Sequence, residues 1–254
     1  MSELHLAIVI SRTSVHVAEV LRSSNTIKRS ETAVLEKLGD SEYKDQLNTF
    51  FDTHSFEANY KDVTVAWADE AAFLTPVKLF QESDLKALGN LIFGKDVDQH
   101  ELDFNRLSEI DIVSVYQIPV WVKSFFVRKF PYASIQHEQT MIHRALFQGK
   151  TYNRKIVFRL MDNYFGLSVI EHNKISFSNN YSYKTISDII YYFNFAVVQM
   201  DIQHKGGIVE VITCDKYQTI SDEVVDTLIS QKLLKDYSKE YAPNSLLKLQ
   251  PLCV

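Results

Sequence analysis

Polar side chains gather at two short turns. Ser11-Arg12-Thr13-Ser14 follows the apolar run Leu4–Ile10, and Asp162-Asn163 follows Arg154–Met161. Hydroxyls and a guanidinium pair with phosphate or carboxylate oxygens. Ser11, Arg12, Asp162 and Asn163 are the candidate cofactor-binding residues, and Arg12 or the nearby Arg159 would be the cation for an anion. The backbone around them is poorly suited to phosphate. Loops that cradle phosphate need glycine for positive φ and for close backbone approach. Seven glycines in 254 residues is less than half the usual share of roughly 7%.

Other chemistry finds little support. Cys214, followed by Asp215, has no histidine close in sequence and reads as a small buried residue. The eight histidines, His137 and His143 among them, show no His-x-x-x-His spacing, so no two share a helix face as metal ligands. They read as scattered surface or partly buried residues, and no metal is expected. No Gly-x-Ser-x-Gly elbow, Walker loop or dinucleotide fingerprint occurs.

Composition narrows the class. A hydrophobic share of 46% with 23% charged residues is that of an ordinary folded protein. The net charge of −5 offers no global attraction to nucleic acid or an anionic membrane. No apolar run approaches the roughly 18 residues that span a bilayer. The first residues lack the basic-then-apolar order of a secretion signal. Two cysteines are too few for a disulfide framework, so the cytoplasm is the expected location.

The elements that position the two turns form a repeat. Strands are expected at 4–10, 15–21 and 26–35, then a helix over 41–51 with Tyr43, Leu47, Phe50 and Phe51 on one side. Strands at 62–67, 73–75 and 112–118 follow, with a short helix at 82–92 and an irregular connection at 93–110. Pro119 suits the first position of a helix to Phe130. A strand at 132–136 and a helix at 138–148 close this half. The second half reads alike: strands at 154–161, 165–171 and 174–182, a helix from Thr185 to about Met200, a strand at 208–213 and a helix over 221–234. Thr185 with Asp188, and Thr219 with Asp222, have capping-box spacing. Ile8–Val15 lies on Phe158–Phe165 at an offset of 150 residues without a gap. The tail 238–254 has no assignment from sequence.

The stretch Ala7–Val20 resembles the opening of the actin-like ATPases, most closely their bacterial pilus-assembly and cell-division members. Their pattern is a strand, Asp-x-Gly, a few Ser or Thr, and a second strand ending near a Glu. Ser11, Thr13, Ser14 and Glu19 fit it, whereas Val9 holds the Asp position and Ser11 the Gly position. In the second half Arg159 and Met161 hold those positions. The Gly-Gly of the adenosine side has no match, since Gly206-Gly207 precedes its strand. Leu74–Phe80, Val115–Pro119, Phe130-Pro131 and His137 also resemble an uncharacterised Bacteroidetes family similar in fold to the actin-like ATPases.

The resemblance implies an α/β fold of duplicated actin-like, ribonuclease H-like architecture, with halves at 1–150 and 151–254. A metal-bound nucleotide needs a carboxylate by the metal and open backbone N–H groups. With both aspartates and all the glycine turns replaced, ATP and ADP are disfavoured as cofactors. The expected function is non-catalytic interaction or scaffolding, with an unknown protein partner or self-association. The alternative is a nucleotide-binding ATPase or kinase-like enzyme with divergent loops. The run Tyr191-Tyr192-Phe193-Asn194-Phe195 reads as core between layers, or else as a partner-binding face. Aromatic and basic residues alternate from Trp121 to Phe130, with His143, Arg144, Lys150, Arg154, Lys155 and Arg159 beyond. This mixture suits single-stranded nucleic acid or an amphipathic helix with a solvated basic edge; the acidic balance favours the latter.

Overall fold

The computed structural model describes residues 3–36, 39–56, 60–94, 96–147, 154–213, 217–241 and 245–253. Two compact units divide the chain, Met1–Leu146 with Leu247–Val254, and Phe147–Leu246.

The first unit opens with a meander, β1 (Leu4–Ile10), β2 (Ser14–Leu21) and β3 (Thr26–Val34), followed by α1 (Asp40–His54) and β4 (Asp62–Trp67). The chain then forms β5 (Ala72–Pro76), α2 (Leu85–Phe93), β6 (Leu102–Leu107) and β7 (Ile112–Gln117). It closes with α3 (Val120–Lys129), β8 (Ser134–His137) and α4 (Glu138–Leu146). The main sheet has the order β3-β2-β1-β4-β8, and β5-β7-β6 forms a separate three-stranded sheet. β1 lies antiparallel to β2 and parallel to β4. Its residues after Leu4 are all buried, as befits a central strand covered on both faces. Leu6, Ile8, Ile10, Val65 and Trp67 meet Leu47, Phe51, Trp121 and Phe126 of α1 and α3 on one face.

The opposite face receives the tail. Small side chains at Ala7 and Ala18 leave room there for Leu247. Gln250 is fully buried: its Nε2 donates to the Ile8 carbonyl at 3.1 Å, and its Oε1 accepts from Thr64 Oγ1 at 2.5 Å. Cys253 Sγ donates to the Met141 carbonyl of α4 at 3.2 Å, and burial pushes its thiol up to about 11.

The second unit repeats the plan. β9 (Lys155–Leu160), β10 (Tyr164–Glu171) and β11 (Lys174–Ser182) precede α5 (Ile186–Gln199), β12 (Gly207–Ile212), α6 (Gln218–Ser230) and β13 (Tyr237–Tyr241); the division between the units falls within α7 (Ser245–Leu249). The sheet order β11-β10-β9-β12-β13 is that of the first unit, element for element. Its core joins Ile156, Phe158 and Leu160 to Phe193 of α5 and Val224, Val225 and Leu228 of α6. The repeat extends to irregularities. The ladder slips between Glu19 and Val20 in one meander and between Val169 and Ile170 in the other, the same offset of 150 residues.

Three local expectations need correction. The supposed irregular segment 93–110 contains β6, whose mixed Leu-Asp-Phe-Asn-Arg-Leu sequence pairs with β7 along its length. Pro119 is the N-cap, extended at ψ 140°, rather than the first helical residue. The Thr219–Asp222 capping box does not form. α6 already begins at Gln218, and Asp222 instead receives Lys239 Nζ at 2.7 Å. The box at Thr185 does form, with Asp188 N–H donating to Thr185 Oγ1 at 3.2 Å.

Candidate functional site

The turn between β1 and β2 spends its polar groups on itself. Ser11 Oγ accepts the backbone N–H of Thr13 at 3.1 Å and of Ser14 at 3.0 Å. It also lies 3.1 Å from Thr13 Oγ1 and 3.2 Å from Ser14 Oγ. The Ser11 N–H donates to the Ser14 carbonyl at 2.9 Å, closing the hairpin. A hydroxyl from α1, Tyr43, donates to the Arg12 carbonyl at 3.0 Å. Two N–H groups that a bound anion could take thus already have an acceptor.

Arg12 turns along the sheet end. Its guanidinium lies 5.8 Å from the ring centroid of Trp67, and its Nε is 3.6 Å from Asp69 Oδ2. Half of the Arg12 side chain is in water, so this pair contributes little on its own. The Asp69 carbonyl faces His137 Nε2 at 2.9 Å, while His137 Nδ1 accepts the Gln139 N–H at 3.1 Å. Acceptance at Nδ1 assigns the proton of the neutral ring to Nε2, which donates to Asp69. His137 therefore ties the end of β4 to the first turn of α4. Ser11, Asp69 and His137 follow or end the parallel strands β1, β4 and β8. Ligands of open α/β sheets collect at the carboxyl ends of such strands.

The equivalent turn in the second unit, Asp162-Asn163 between β9 and β10, is held in the same way. Met161 N–H donates to the Tyr164 carbonyl at 3.0 Å. Tyr183 Oη donates to the Met161 carbonyl at 2.6 Å and reaches that of Asp162 at 3.3 Å. Burial, then the Asp162 charge, raises the Tyr183 hydroxyl above its ordinary range. Tyr183 thus does for this turn what Tyr43 does for the first. Arg159 is only 4% exposed. Its Nη2 donates to Asn180 Oδ1 at 2.9 Å, and its guanidinium lies over Gly166, where a Cβ would come within 2.5 Å of Nη2.

Within the first unit the structure adds Asp69 and His137 to Ser11 and Arg12. The signal in the sequence that marks Asp69 is a polar Asp-Glu pair just after a buried strand. His137, expected to be one of several scattered histidines, is fully buried. Cys214 and Asp215 lie outside the described residues. Among the described residues no three of His, Cys, Asp and Glu come together as metal ligands. None of the helices there is long and apolar enough to cross a membrane.

Most of the basic residues near 121–159 have partners, while Arg128 is exposed and Lys150 lies outside the described residues. Lys123 Nζ donates to the His100 carbonyl at 3.1 Å, Lys129 Nζ to Asp52 at 3.0 Å, and Arg144 Nη1 to Gln136 at 3.2 Å. Arg154 pairs with Glu171 and Lys155 with Glu210. Trp121, Phe125 and Phe126 are buried in the core.

A meander, helix, strand, helix, strand unit present twice with one sheet order, the first copy carrying a three-stranded insertion, defines the actin-like ATPase class of folds. The chain belongs to the family described as "Protein of unknown function (DUF3822)", whose model matches residues 2–225. A Bacteroides thetaiotaomicron protein with an actin-like ATPase fold and unknown function is similar over 99% of this chain and 95% of its own, with 16% identity and a TM-score of 0.76. The PilM–PilN type IV pilus biogenesis complex is similar over 99% and 95%, with 11% identity and a TM-score of 0.63. An inorganic polyphosphate/ATP-glucomannokinase from Arthrobacter sp. strain KM is similar over 99% and 97%, with 8% identity and a TM-score of 0.56. No curated protein matches the chain. At these identities the likeness is one of fold.

Proposed function

We propose that this chain is a non-catalytic interaction or scaffold protein that has kept the actin-like fold and given up ATP hydrolysis. The observation that carries the reading is Ser11 Oγ accepting both the Thr13 and Ser14 N–H groups. Those donors face a hydroxyl of their own turn rather than an incoming phosphate. Val9 and Arg159, standing where the actin-like pattern has its aspartates, bring no carboxylate to a metal. ATP and ADP are therefore disfavoured ligands. The similarity to a protein solved within a pilus biogenesis complex is consistent with a fold put to work in assembly. The partner is another protein or a second copy, and the cytoplasm is the expected place. Nucleic acid is disfavoured, because Lys123, Lys129, Arg154 and Lys155 are matched to acids or carbonyls and Trp121, Phe125 and Phe126 are buried.

The rival reading, a nucleotide-binding ATPase or kinase-like enzyme, rests on one observation. Asp69 stands 3.6 Å from Arg12 beside the first turn, offering a carboxylate and a cation at the strand ends. A thermal melt with and without millimolar ATP·Mg or ADP·Mg separates the two. Ligand at 100 times its dissociation constant would stabilise the fold by about 2.7 kcal/mol. No shift is expected. A clear upward shift overturns the non-catalytic reading and directs mutation to Arg12 and Asp69.

A further inference from the structure

We infer that the outer face of α5, together with the neighbouring strand β11, is a docking surface for a second copy of this chain. The inference deepens the interaction reading and rests on it.

Only part of the aromatic run is core. Phe193 is fully buried, whereas Tyr191, Tyr192, Phe195 and Val198 are 63%, 37%, 48% and 46% exposed. Tyr191, Phe195 and Val198 fall at i, i+4 and i+7, one continuous stripe of the helix surface. Tyr191 and Phe195 lie nearly parallel, with ring centroids 6.4 Å apart. Tyr192 stacks on Tyr181 of β11 at 5.2 Å, which joins the helix and the outer strand into one patch.

The internal repeat supplies the control. In the first unit α1 occupies the place of α5 and β3 that of β11. Every exposed residue of α1 is polar, among them Asp40, Glu42, Asp45 and Asp52. β3 carries Lys28, Arg29 and Glu31, the charges with which natural outer strands resist pairing. β11 has no charge after Lys174, and α5 none from Ile189 through Gln199. The outer face of the helix at this fold position is thus polar in one unit and aromatic in the other. Fold alone does not demand the apolar face.

A second copy is the occupant that this chemistry fits. A two-fold contact lays a patch on itself, so a face of one charge would repel its own copy. An uncharged stripe of tyrosine and phenylalanine meets itself without that penalty. The size also suits. A tyrosine or phenylalanine buries about 150–250 Å², so the three exposed rings leave roughly 300 Å² of surface for a partner. That is the apolar centre of an interface burying about 800 Å² per copy. The polar serines and asparagines of β11 form its rim.

The test is sedimentation velocity of the full chain across a micromolar concentration series. The expected result is a concentration-dependent dimer. The double variant Tyr191→Lys/Phe195→Lys is expected to be monomeric. Leu91→Lys, which changes a 76% exposed residue of α2, is expected to dimerise as the parent does. Mixing the lysine variant with Tyr191→Glu/Phe195→Glu should restore a dimer, which a misfolded variant could not do. A parent chain that is monomeric throughout overturns the proposal and assigns the patch to a different partner. A dimer that survives the lysine pair overturns it too, placing the contact elsewhere. Because these readouts are masses, they can fail while the nucleotide melt still supports a non-catalytic chain, and the reverse.

Discussion

Lowering the pH from 7 to 5 should weaken the first unit through one residue, His5. This histidine is fully buried on β1, with Nε2 2.7 Å from Thr64 Oγ1. The Thr64 hydroxyl in turn donates to Gln250 Oε1 at 2.5 Å, so the neutral ring donates into a chain of three side chains. Burial, and after it the Arg22 charge, lowers the ring from 6.5 to about 4, with Asp62 opposing. The unfolded chain takes up the proton near 6.5 and the folded chain only near 4. The contribution to stability is therefore fully present above pH 6.5 and is lost as the pH falls through that window. At about 1.36 kcal/mol per pH unit the whole effect is about 3 kcal/mol, of which about 2 kcal/mol is gone by pH 5. The assay is urea unfolding of the parent and of His5→Gln at both pH values. Glutamine keeps a donor near Thr64 and does not titrate. The parent should lose about 2 kcal/mol more than the variant between pH 7 and 5. Equal losses in the two proteins would refute the assignment of that slope to His5.

Two further substitutions test the packing of the two sheets. Gly166→Ala places a methyl group 2.5 Å from Arg159 Nη2, and overpacking of this kind costs about 1–3 kcal/mol; a chemical denaturation midpoint unchanged from the parent would contradict it. Gln250→Ala removes the acceptor of the Thr64 hydroxyl and the donor to the Ile8 carbonyl, so unfolding should show a loss of about 1–3 kcal/mol. Combining it with His5→Gln should give less than the sum of the two losses, since both act through Thr64.

The strand pattern, the turn at Ser11–Ser14, the box at Thr185 and the 150-residue repeat are legible in the sequence because each rests on neighbours along the chain. Alternation, capping and tight turns are decided by residues a few positions apart. The repeat even carries the matching slips at Glu19/Val20 and Val169/Ile170, which pattern alone could not announce. Tertiary structure decided the rest. β6 is a strand because β7 pairs with it, not because Leu-Asp-Phe-Asn-Arg-Leu alternates cleanly. Asp222 leaves its cap for Lys239, a partner 17 residues away. Asp69 and His137 meet although 68 residues separate them, and Gln250 finds Ile8 across 242. Exposure of Tyr191 and Phe195 beside a buried Phe193 follows from the sheet covering one side of α5 and leaving the other to water. Local rules fixed most of the elements, while long-range pairing made β6 a strand and chose which polar and aromatic side chains the elements would bury, join or present.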